Sequence, residues 1–417
     1  MATPSSVTFH SAPTADNPFA WDIPDSNGNF PTSPYDELEV LNWYTSIHYA
    51  VTISVGAILV PCMIYMVLFH TTGALLPYKK LLLVCSMSDF FFWLLDSCGQ
   101  LKVRMIDGVF VGTVTGPAKL LPRWGQLLAA SLGVSLVCFT NATLPAQSFY
   151  RYYALTRGKT CDKLKTTLIL AFPFVVNIVP FVLLYISFFE SPKVRPGYNY
   201  ATLWFKEYPL PLLLILDTRS SWDMAFIATA GLQITFGYLA TVYFSYKTWR
   251  QLCVYADKYS PKTKVLQAQL ARFLFFQISK SVYGASRPRK STAKLSRNER
   301  ISASSKETVC FICSGGRVVS ALDFCARRGG FDPILTTSIV PASLLAASAL
   351  LRIDGGISTT VSVTLASWIP ILNSLLTITA IVPYRRVLKG WLCHVLHNAK
   401  ILSTVPSTVV PVNSKNG

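Results

Sequence analysis

Long apolar runs constrain this chain more than any other feature of its sequence. An α-helix needs about 20 mostly apolar residues to cross a bilayer. Hydrophobic residues make up 51% of the chain and charged residues only 14%, whereas soluble domains carry about 25% charged residues. The sequence therefore predicts an all-α integral membrane protein, a bundle of seven spanning helices. The predicted spans lie at about 44–69, 81–101, 124–154, 164–189, 222–249, 334–351 and 357–383.

The distribution of basic residues predicts how the bundle is oriented. Cytoplasmic loops of membrane proteins carry an excess of Lys and Arg. Residues 1–43 contain neither, so we expect the N-terminus outside the cell and the basic loops after the first, third and fifth spans inside it. A C-terminus inside then requires an odd number of spans. Basic cytoplasmic loops are one source of the net charge of +18. Because no basic stripe lies on a soluble element, we expect no nucleic-acid partner.

The sixth span is short, and an unusual polar segment precedes it. Residues 278–333 hold 11 Lys and Arg against 4 acidic residues, and a polar segment inside the bilayer has no water to satisfy its backbone. Joining Gln277 to Thr337 restores one continuous apolar span. We interpret residues 278–336 as a disordered insertion, either a retained intron or a repeat remnant, that interrupts helix 6. The alternative is a genuine long cytoplasmic loop.

The predicted chain has five segments in sequence order. Their order is an extracellular polar tail, helices 1–5 with the start of helix 6, the insertion, the rest of helix 6 with helix 7 and a juxtamembrane segment, and a cytoplasmic tail. The boundaries are 1–43, 44–277, 278–336, 337–392 and 393–417.

Two carboxylates lie in the second span. Asp89 is near its middle, and Asp96 follows seven residues later, on about the same helix face. An ionisable side chain inside a bilayer is costly and usually faces the bundle interior. We interpret Asp89 as an intramembrane polar switch or ion site; the alternative is a carboxyl group that only bonds to neighbouring Ser or Asn. Asp96 is nearer the outer edge, where water can reach it.

The third span ends in an aromatic and basic cluster. Arg151 is flanked by Tyr150 and Tyr152 at the predicted cytoplasmic boundary. One interpretation is a charged latch that faces a cytoplasmic partner. The alternative is an ordinary interface anchor, because Tyr favours this boundary and Arg can extend to water. After the last span, Cys393 follows basic residues and is a candidate for palmitoylation.

Several motifs, taken in order, resemble one receptor family. They are Ser-Asp in the second span, F-Y-R-Y-Y-A-L at the end of the third, and N-S-L-L-T-I followed by V-P-Y-R-R at the end of the seventh. Gly116-Pro117-Ala118-Lys119 resembles a G-P-C-K segment. Gln277 and Ile339-Val340-Pro341 resemble a sixth-helix Q-x-x-I-P pattern. Together they resemble the nematode serpentine seven-transmembrane chemoreceptors, of the Srd type first and the Str type next, over about 40–277 and 337–392.

The resemblance implies a rhodopsin-like bundle that binds a small-molecule ligand and signals through a heterotrimeric G protein. It implies a location in the plasma membrane, in the cilia of sensory neurons. Few charges lie in the outer half, so we expect a small, uncharged ligand, among helices 3, 5, 6 and 7, although no ligand-binding residue is assigned. By the same resemblance, the residues of G-protein coupling and activation are Tyr150, Arg151, Tyr152, Asn373 and Tyr384, with Asp89 as the polar switch and Pro341 as the hinge of helix 6.

The sequence also departs from the family pattern. Ala118 stands where the family usually has Cys, and residues 190–221 contain no Cys, so we expect the usual disulfide between the third helix and the second outer loop to be missing. Ser374 stands where Pro is common, which would stiffen helix 7. The interruption of helix 6 is the largest departure.

Other function classes have less support in the sequence. A transporter or channel would favour internal repeats and several intramembrane charges, and one deep carboxylate is visible. No P-loop, GxSxG or HExxH pattern indicates an enzyme, and we expect no cofactor or metal. A third alternative is a non-functional product of a degenerate receptor gene.

Overall fold

The computed structural model describes residues 9–30, 37–157, 162–254 and 340–391. Within these ranges, five helices are long and apolar enough to cross a membrane, and a bent pair of helices makes a sixth candidate. The five are α1 (Glu39–Phe69), α2 (Lys79–Gly99), α3 (Arg123–Arg157), α4 (Lys163–Glu190) and α5 (Ser221–Val254). They confirm the first five predicted spans, and α1 begins one turn earlier than the apolar run indicated.

The last two predicted spans are described in part. Helix α6 is Val340–Leu351. Residues 255–339, which include the predicted insertion at 278–336, lie outside the described residues. The seventh span consists of α7 (Gly356–Ala366) and α8 (Ile369–Ala380). These two helices meet at an angle of 42° at Ser367 and Trp368. A short helix, α9, follows at 382–391.

Several of the described helices pack around α3. Helix α3 contacts α2, α4 and α5, while α1 and α2 both contact α8. In the most apolar stretch of α3, 61% of the residues are buried, whereas the same share is 17% in α4 and 17% in α5. Helix α3 is therefore the central one of these three helices. Gly237 of α5 lies against the backbone oxygen of Asn141 in α3, and Gln233 Nε2 donates to Cys138 O at 3.1 Å.

A small antiparallel sheet lies outside the bundle, where the all-α prediction had placed loops. Its strands are β1 (Leu101–Ile106), β2 (Val109–Val114) and β3 (Leu214–Asp217), in the order β1-β2-β3. The first two strands form a hairpin between α2 and α3, and β3 belongs to the long segment between α4 and α5. The membrane part is therefore helical as predicted, and the sheet is an addition to it.

The N-terminal tail packs on this sheet. Asn17 donates from Nδ2 to Pro211 O at 2.9 Å and accepts from Leu213 N at 2.9 Å, and Asn199 makes the same pair of bonds with the backbone of Trp21. The tail was predicted only as a polar extension. Its described part instead shares an apolar core with the sheet, which includes Ala20, Val109, Val111, Tyr200, Trp204, Leu213 and Ile215. We call the tail at 9–30, the hairpin at 101–114 and the segment at 191–217 the outer cap.

Candidate functional site

A hydrogen bond between polar side chains joins α2 to α8. Asn373 Nδ2 donates to Asp89 Oδ1 at 3.0 Å, and Asp89 is 7% exposed. Sequence reasoning singled out both residues but did not pair them. A buried carboxylate that accepts an amide hydrogen bond is stabilised in this position, and the bond fixes the spacing of the two helices.

A cavity of about 40 Å³ lies beside this contact. One water needs about 10–15 Å³ of such space, so the cavity has room for a few waters. The side chains around it come from α1, α2, α3 and α8, and many are polar. They include Ser86, Ser88, Asp89, Thr140, Thr143, Gln147, Asn373 and Thr377. The predicted polar switch therefore lies at a polar pocket shared by four helices.

The three tyrosines around Arg151 contact three different parts of the bundle. Tyr150 packs edge-on against Tyr78, at the start of α2, with ring centres 5.7 Å apart. Tyr152 lies 6.1 Å from the ring of Phe244 in α5. Tyr153 lies 5.6 Å from Lys165 Nζ in α4 and accepts its hydrogen bond at 3.3 Å. The C-terminal end of α3 therefore contacts α4, α5 and the residue that precedes α2.

Arg151 itself is 3% exposed. It was predicted to face a cytoplasmic partner, and in this conformation its side chain is covered. A partner could contact it only after the inner ends of the surrounding helices separate.

Tyr384 lies in a separate apolar cluster at the inner ends of α1 and α8. Its hydroxyl is hydrogen-bonded to Thr71 Oγ1 at 2.6 Å, and its side chain is fully buried. Leu82 packs against both this cluster and the cluster of Tyr150. Tyr384 thus contacts the segment between α1 and α2, and Leu82 lies between it and the end of α3.

The described residues do not test the roles predicted for Pro341 and Cys393. Pro341 is the second residue of α6, and the residues before Val340 that would form its hinge lie outside the described residues. Cys393 lies outside them too. Within the described ranges, no group of three or more His, Cys, Asp and Glu residues could hold a metal ion.

A network of charges ties the hairpin of the outer cap to the segment between α4 and α5. Asp107, in the hairpin turn, contacts Arg195 at 3.0 Å and accepts two bonds from Arg219 Nη2 at 3.0 and 3.1 Å. The same arginines contact Asp217, at 3.0 Å from Arg195 Nε and 3.3 Å from Arg219 Nη1. Both carboxylates are therefore shared between both guanidinium groups.

Tyr200 completes this network. Its hydroxyl donates to Asp217 Oδ2 at 3.3 Å. Burial raises the pKa of the Tyr200 hydroxyl, so it stays protonated and remains a donor at neutral pH. Burial also raises the pKa of the Asp217 carboxyl, and the charge of Arg195 opposes that rise.

The free edge of β1 is bonded to the bundle below it. Three alternate carbonyl groups of this strand accept hydrogen bonds: Leu101 O from the Tyr49 hydroxyl at 3.3 Å, Val103 O from Thr360 Oγ1 at 2.6 Å, and Met105 O from Gly355 N at 2.9 Å. An edge strand otherwise presents unpaired backbone groups. Here α1 and the start of α7 donate hydrogen bonds to that edge, so the outer cap is hydrogen-bonded to helix 7.

The segment before α3 packs against the sheet. Ala118, where the sequence resemblance led us to expect Cys, is 6% exposed and packs in a cluster with Leu214 and Leu216 of β3. Strand β3 pairs with β2, from Val109 opposite Asp217 to Gly112 opposite Leu214. Backbone pairing and ion pairs thus tie the second outer loop to the segment before α3.

Comparison with known proteins gives one family. A model of the family described as serpentine type 7TM GPCR chemoreceptor Srd matches residues 45–280, which is more than half of the chain. The matched range contains most of α1 and all of α2 to α5, with Asp89 and Arg151, whereas Asn373 and Tyr384 lie beyond it. No curated protein matches the chain.

Proposed function

The chain belongs to the Srd family of serpentine seven-transmembrane chemoreceptors, and from that premise we propose that it binds a small, uncharged ligand in the outer half of the bundle and signals to a heterotrimeric G protein. The family is one of receptors rather than of enzymes. The observation that carries the coupling proposal is the covered Arg151 at the inner end of the central helix, held by the Tyr150 contact with α2 and the Tyr152 contact with α5.

The proposed mechanism is a shift between two conformations. Ligand binding among helices 3, 5, 6 and 7 would favour a conformer in which the inner ends of helices 5 and 6 move apart, because the ligand binds that conformer more tightly. Separation of α5 from α3 would break the packing of Tyr152 on Phe244. Arg151 would then become accessible to a G-protein helix, with Asn373 and Tyr384 adjusting on helix 7 and Pro341 serving as the hinge of helix 6.

The proposed location follows the family and the charge pattern. We place the receptor in the plasma membrane as a multi-pass protein with its N-terminus outside, in the ciliary membrane of a nematode sensory neuron. The folded outer cap supports a position of the tail in water outside the bilayer, because a packed core with ion pairs at its surface is suited to water, and the charge pattern favours the extracellular side. Cys393 remains the proposed palmitoylation site.

A G-protein activation assay in transfected cells tests the proposal. Two forms of the receptor are expressed, the full chain and a form that lacks residues 278–336, and each is checked for surface expression and exposed to a panel of neutral odorants with several Gα subunits. We expect at least one odorant to activate a G protein, and Arg151→Ala to abolish that signal at unchanged surface expression. An odorant response that consists of ion flux and persists with Arg151→Ala would instead indicate a channel.

A further inference from the structure

The end of the bundle opposite the outer cap carries positive charge that no described carboxylate balances. Helix α1 starts at the cap, where Leu38 and Leu41 join the apolar core of the sheet, and it ends at Phe69. At this far end, residues 65–80 and α9 contain no acidic residue and five cations: Lys79, Lys80, Arg385, Arg386 and Lys389. Within the described ranges, none of these five forms an ion pair with a carboxylate.

The outer end of the molecule has a different charge balance. Six of its cations form ion pairs with carboxylates: Lys102, Arg104, Lys193, Arg195, Lys206 and Arg219. At the far end, the chain that follows Trp391 adds no acidic residue. The positive charge there therefore lacks a counter-charge among the described residues, and a negatively charged partner would supply it.

The packing of α9 places cations on one exposed helix face. Tyr384 and Leu388, four residues apart, pack in the apolar cluster with α1 and α8, so this face of α9 is turned towards the bundle. Arg385, Arg386 and Lys389 are exposed. Arg385 and Lys389 are also four residues apart, so their side chains are neighbours on the helix surface. A guanidinium and an ammonium group at this spacing can share one phosphate group.

Exposed apolar side chains accompany these cations. The ring of Trp391 lies 5.5 Å from Tyr65 and 6.4 Å from His70, so the end of α9 lies against the end of α1. Lys79 Nζ donates to Leu68 O at 2.8 Å, which brings another cation to the same end of α1. Four large apolar side chains are exposed here: Leu68, Phe69, Leu76 and Trp391. Cations beside exposed apolar and aromatic side chains are typical of the boundary between lipid headgroups and acyl chains.

This combination favours a lipid over an acidic protein as the source of negative charge. The cations follow directly on the ends of apolar helices that are long enough to cross a membrane, so they lie at the depth of the headgroups. Clusters of Lys and Arg next to a spanning helix attract acidic lipids. A phospholipid supplies both a phosphate group for the cations and acyl chains for the apolar side chains, whereas a carboxylate-rich protein surface supplies only the charge.

We propose that this end of the bundle binds acidic phospholipids of the adjacent membrane leaflet. Arg385 and Lys389 of α9 hold the phosphate group, and the acyl chains lie against Phe69 and Trp391. Because α9 follows α8 after Ile381, a bound lipid holds the end of helix 7 against α1. The binding requires neither the odorant ligand nor the G-protein coupling proposed above.

Native mass spectrometry of the purified full chain in detergent tests lipid binding. Phosphatidylserine is titrated and compared with phosphatidylcholine of the same acyl chains and with soluble glycerophosphoserine, which has the headgroup without the acyl chains. We expect phosphatidylserine to bind more tightly than either. Equal binding of the two lipids would overturn the proposal. Tighter binding of a polyglutamate peptide than of phosphatidylserine would overturn it in favour of an acidic protein partner.

Variants connect the lipid to α9. Arg385→Gln combined with Lys389→Gln is expected to weaken phosphatidylserine binding at least about tenfold, whereas Arg385→Lys, which keeps the charge, is expected to retain it. Lys193→Gln combined with Lys206→Gln is the matched control, because it removes two exposed cations at the outer end, and binding should stay unchanged. If the double variant of α9 does not fold, Lys389→Gln alone decides. Equal weakening in the α9 variant and the control, or none in the α9 variant, would overturn the proposal.

Discussion

Asn373 donates to Asp89 across the interface between α8 and α2. The sequence predicted a functional role for each residue, because a polar side chain in a long apolar run is costly. It could not predict their pairing, since helical periodicity gives the face on which a residue lies but not the helix that this face meets. The same limit applies to Tyr384, whose partner Thr71 lies in a short inner loop without any polar signal of its own.

Replacing the amide tests the contribution of this bond. Asn373→Ala removes the donor to Asp89, so we expect the free energy of unfolding to fall by about 1 kcal/mol, as is typical of hydrogen bonds between membrane helices. Unfolding of the purified protein in detergent measures it. Thr379→Ala is the control, because Thr379 is exposed and its hydroxyl bonds only within its own helix. Equal losses in both variants would contradict the assigned role of Asn373.

Gly56 of α1 packs closely against Trp93 of α2. A Cβ atom at Gly56 would overlap the ring of Trp93, whereas a Cβ atom at Gly133 of α3 would meet nothing within 4 Å. We expect Gly56→Ala to lower the unfolding temperature, because Trp93 must move. We expect Gly133→Ala to leave it unchanged or raise it, since Ala favours a helix by about 1 kcal/mol over Gly. The same response in both would contradict the close packing at Gly56.

At the scale of elements, the outer sheet is the part that sequence reasoning missed. A signal was present: Asp107-Gly108 stands between two stretches rich in β-branched and apolar residues, and Asp-Gly in such a setting is a strong hairpin signal. Both residues have positive φ, 50° and 72°, as a tight hairpin turn requires. The adjacent apolar helix masked this signal, because the predicted second span extended to residue 101. The third strand has only four residues, too few for a pattern to identify it.

The ion pairs of Asp107 are expected to hold the second outer loop closed. Asp107→Asn weakens its contacts with Arg195 and Arg219, and because these groups are partly exposed, the loss should be about 1 kcal/mol. We expect trypsin to cleave between α4 and α5 roughly fivefold faster on intact cells, since local opening governs such cleavage. Lys193→Gln removes an exposed pair with Glu190 but also one trypsin site, so cleavage is scored at Lys206 and Arg219 only, because trypsin does not cleave the Arg195–Pro196 bond. Equal cleavage in Asp107→Asn and the native chain would contradict this role.

The contact between β1 and α7 makes a second prediction for the cap. Thr360→Val keeps the shape of the side chain but removes the donor to Val103 O. A buried carbonyl without its partner costs about 1–3 kcal/mol, so we expect faster hydrogen exchange in β1 and at the start of α7. Thr229→Val, in α5, serves as the control because Thr229 bonds only to its own helix. Unchanged exchange in Thr360→Val would show that the cap and helix 7 are not coupled through this bond.

For the whole molecule, the greatest predictive success lies in the first five spans, where apolar runs of more than 20 residues leave few alternatives in a membrane. Helix 6 is described only from Val340 onwards, and Gln277 and the predicted insertion at 278–336 lie outside the described residues. The family match ends at residue 280 and does not test the hypothesis of an insertion. It stays a prediction.

The central claim is that the chain crosses the membrane seven times, with helix 6 among the spans. Epitope tags at the two termini of the full chain test it most directly, by antibody labelling of intact and then permeabilised cells. We expect the N-terminal tag to be labelled on intact cells and the C-terminal tag only after permeabilisation, because an odd number of spans separates the termini. Labelling of both tags on intact cells, or of neither, would mean an even number of spans and would contradict the seven-helix receptor.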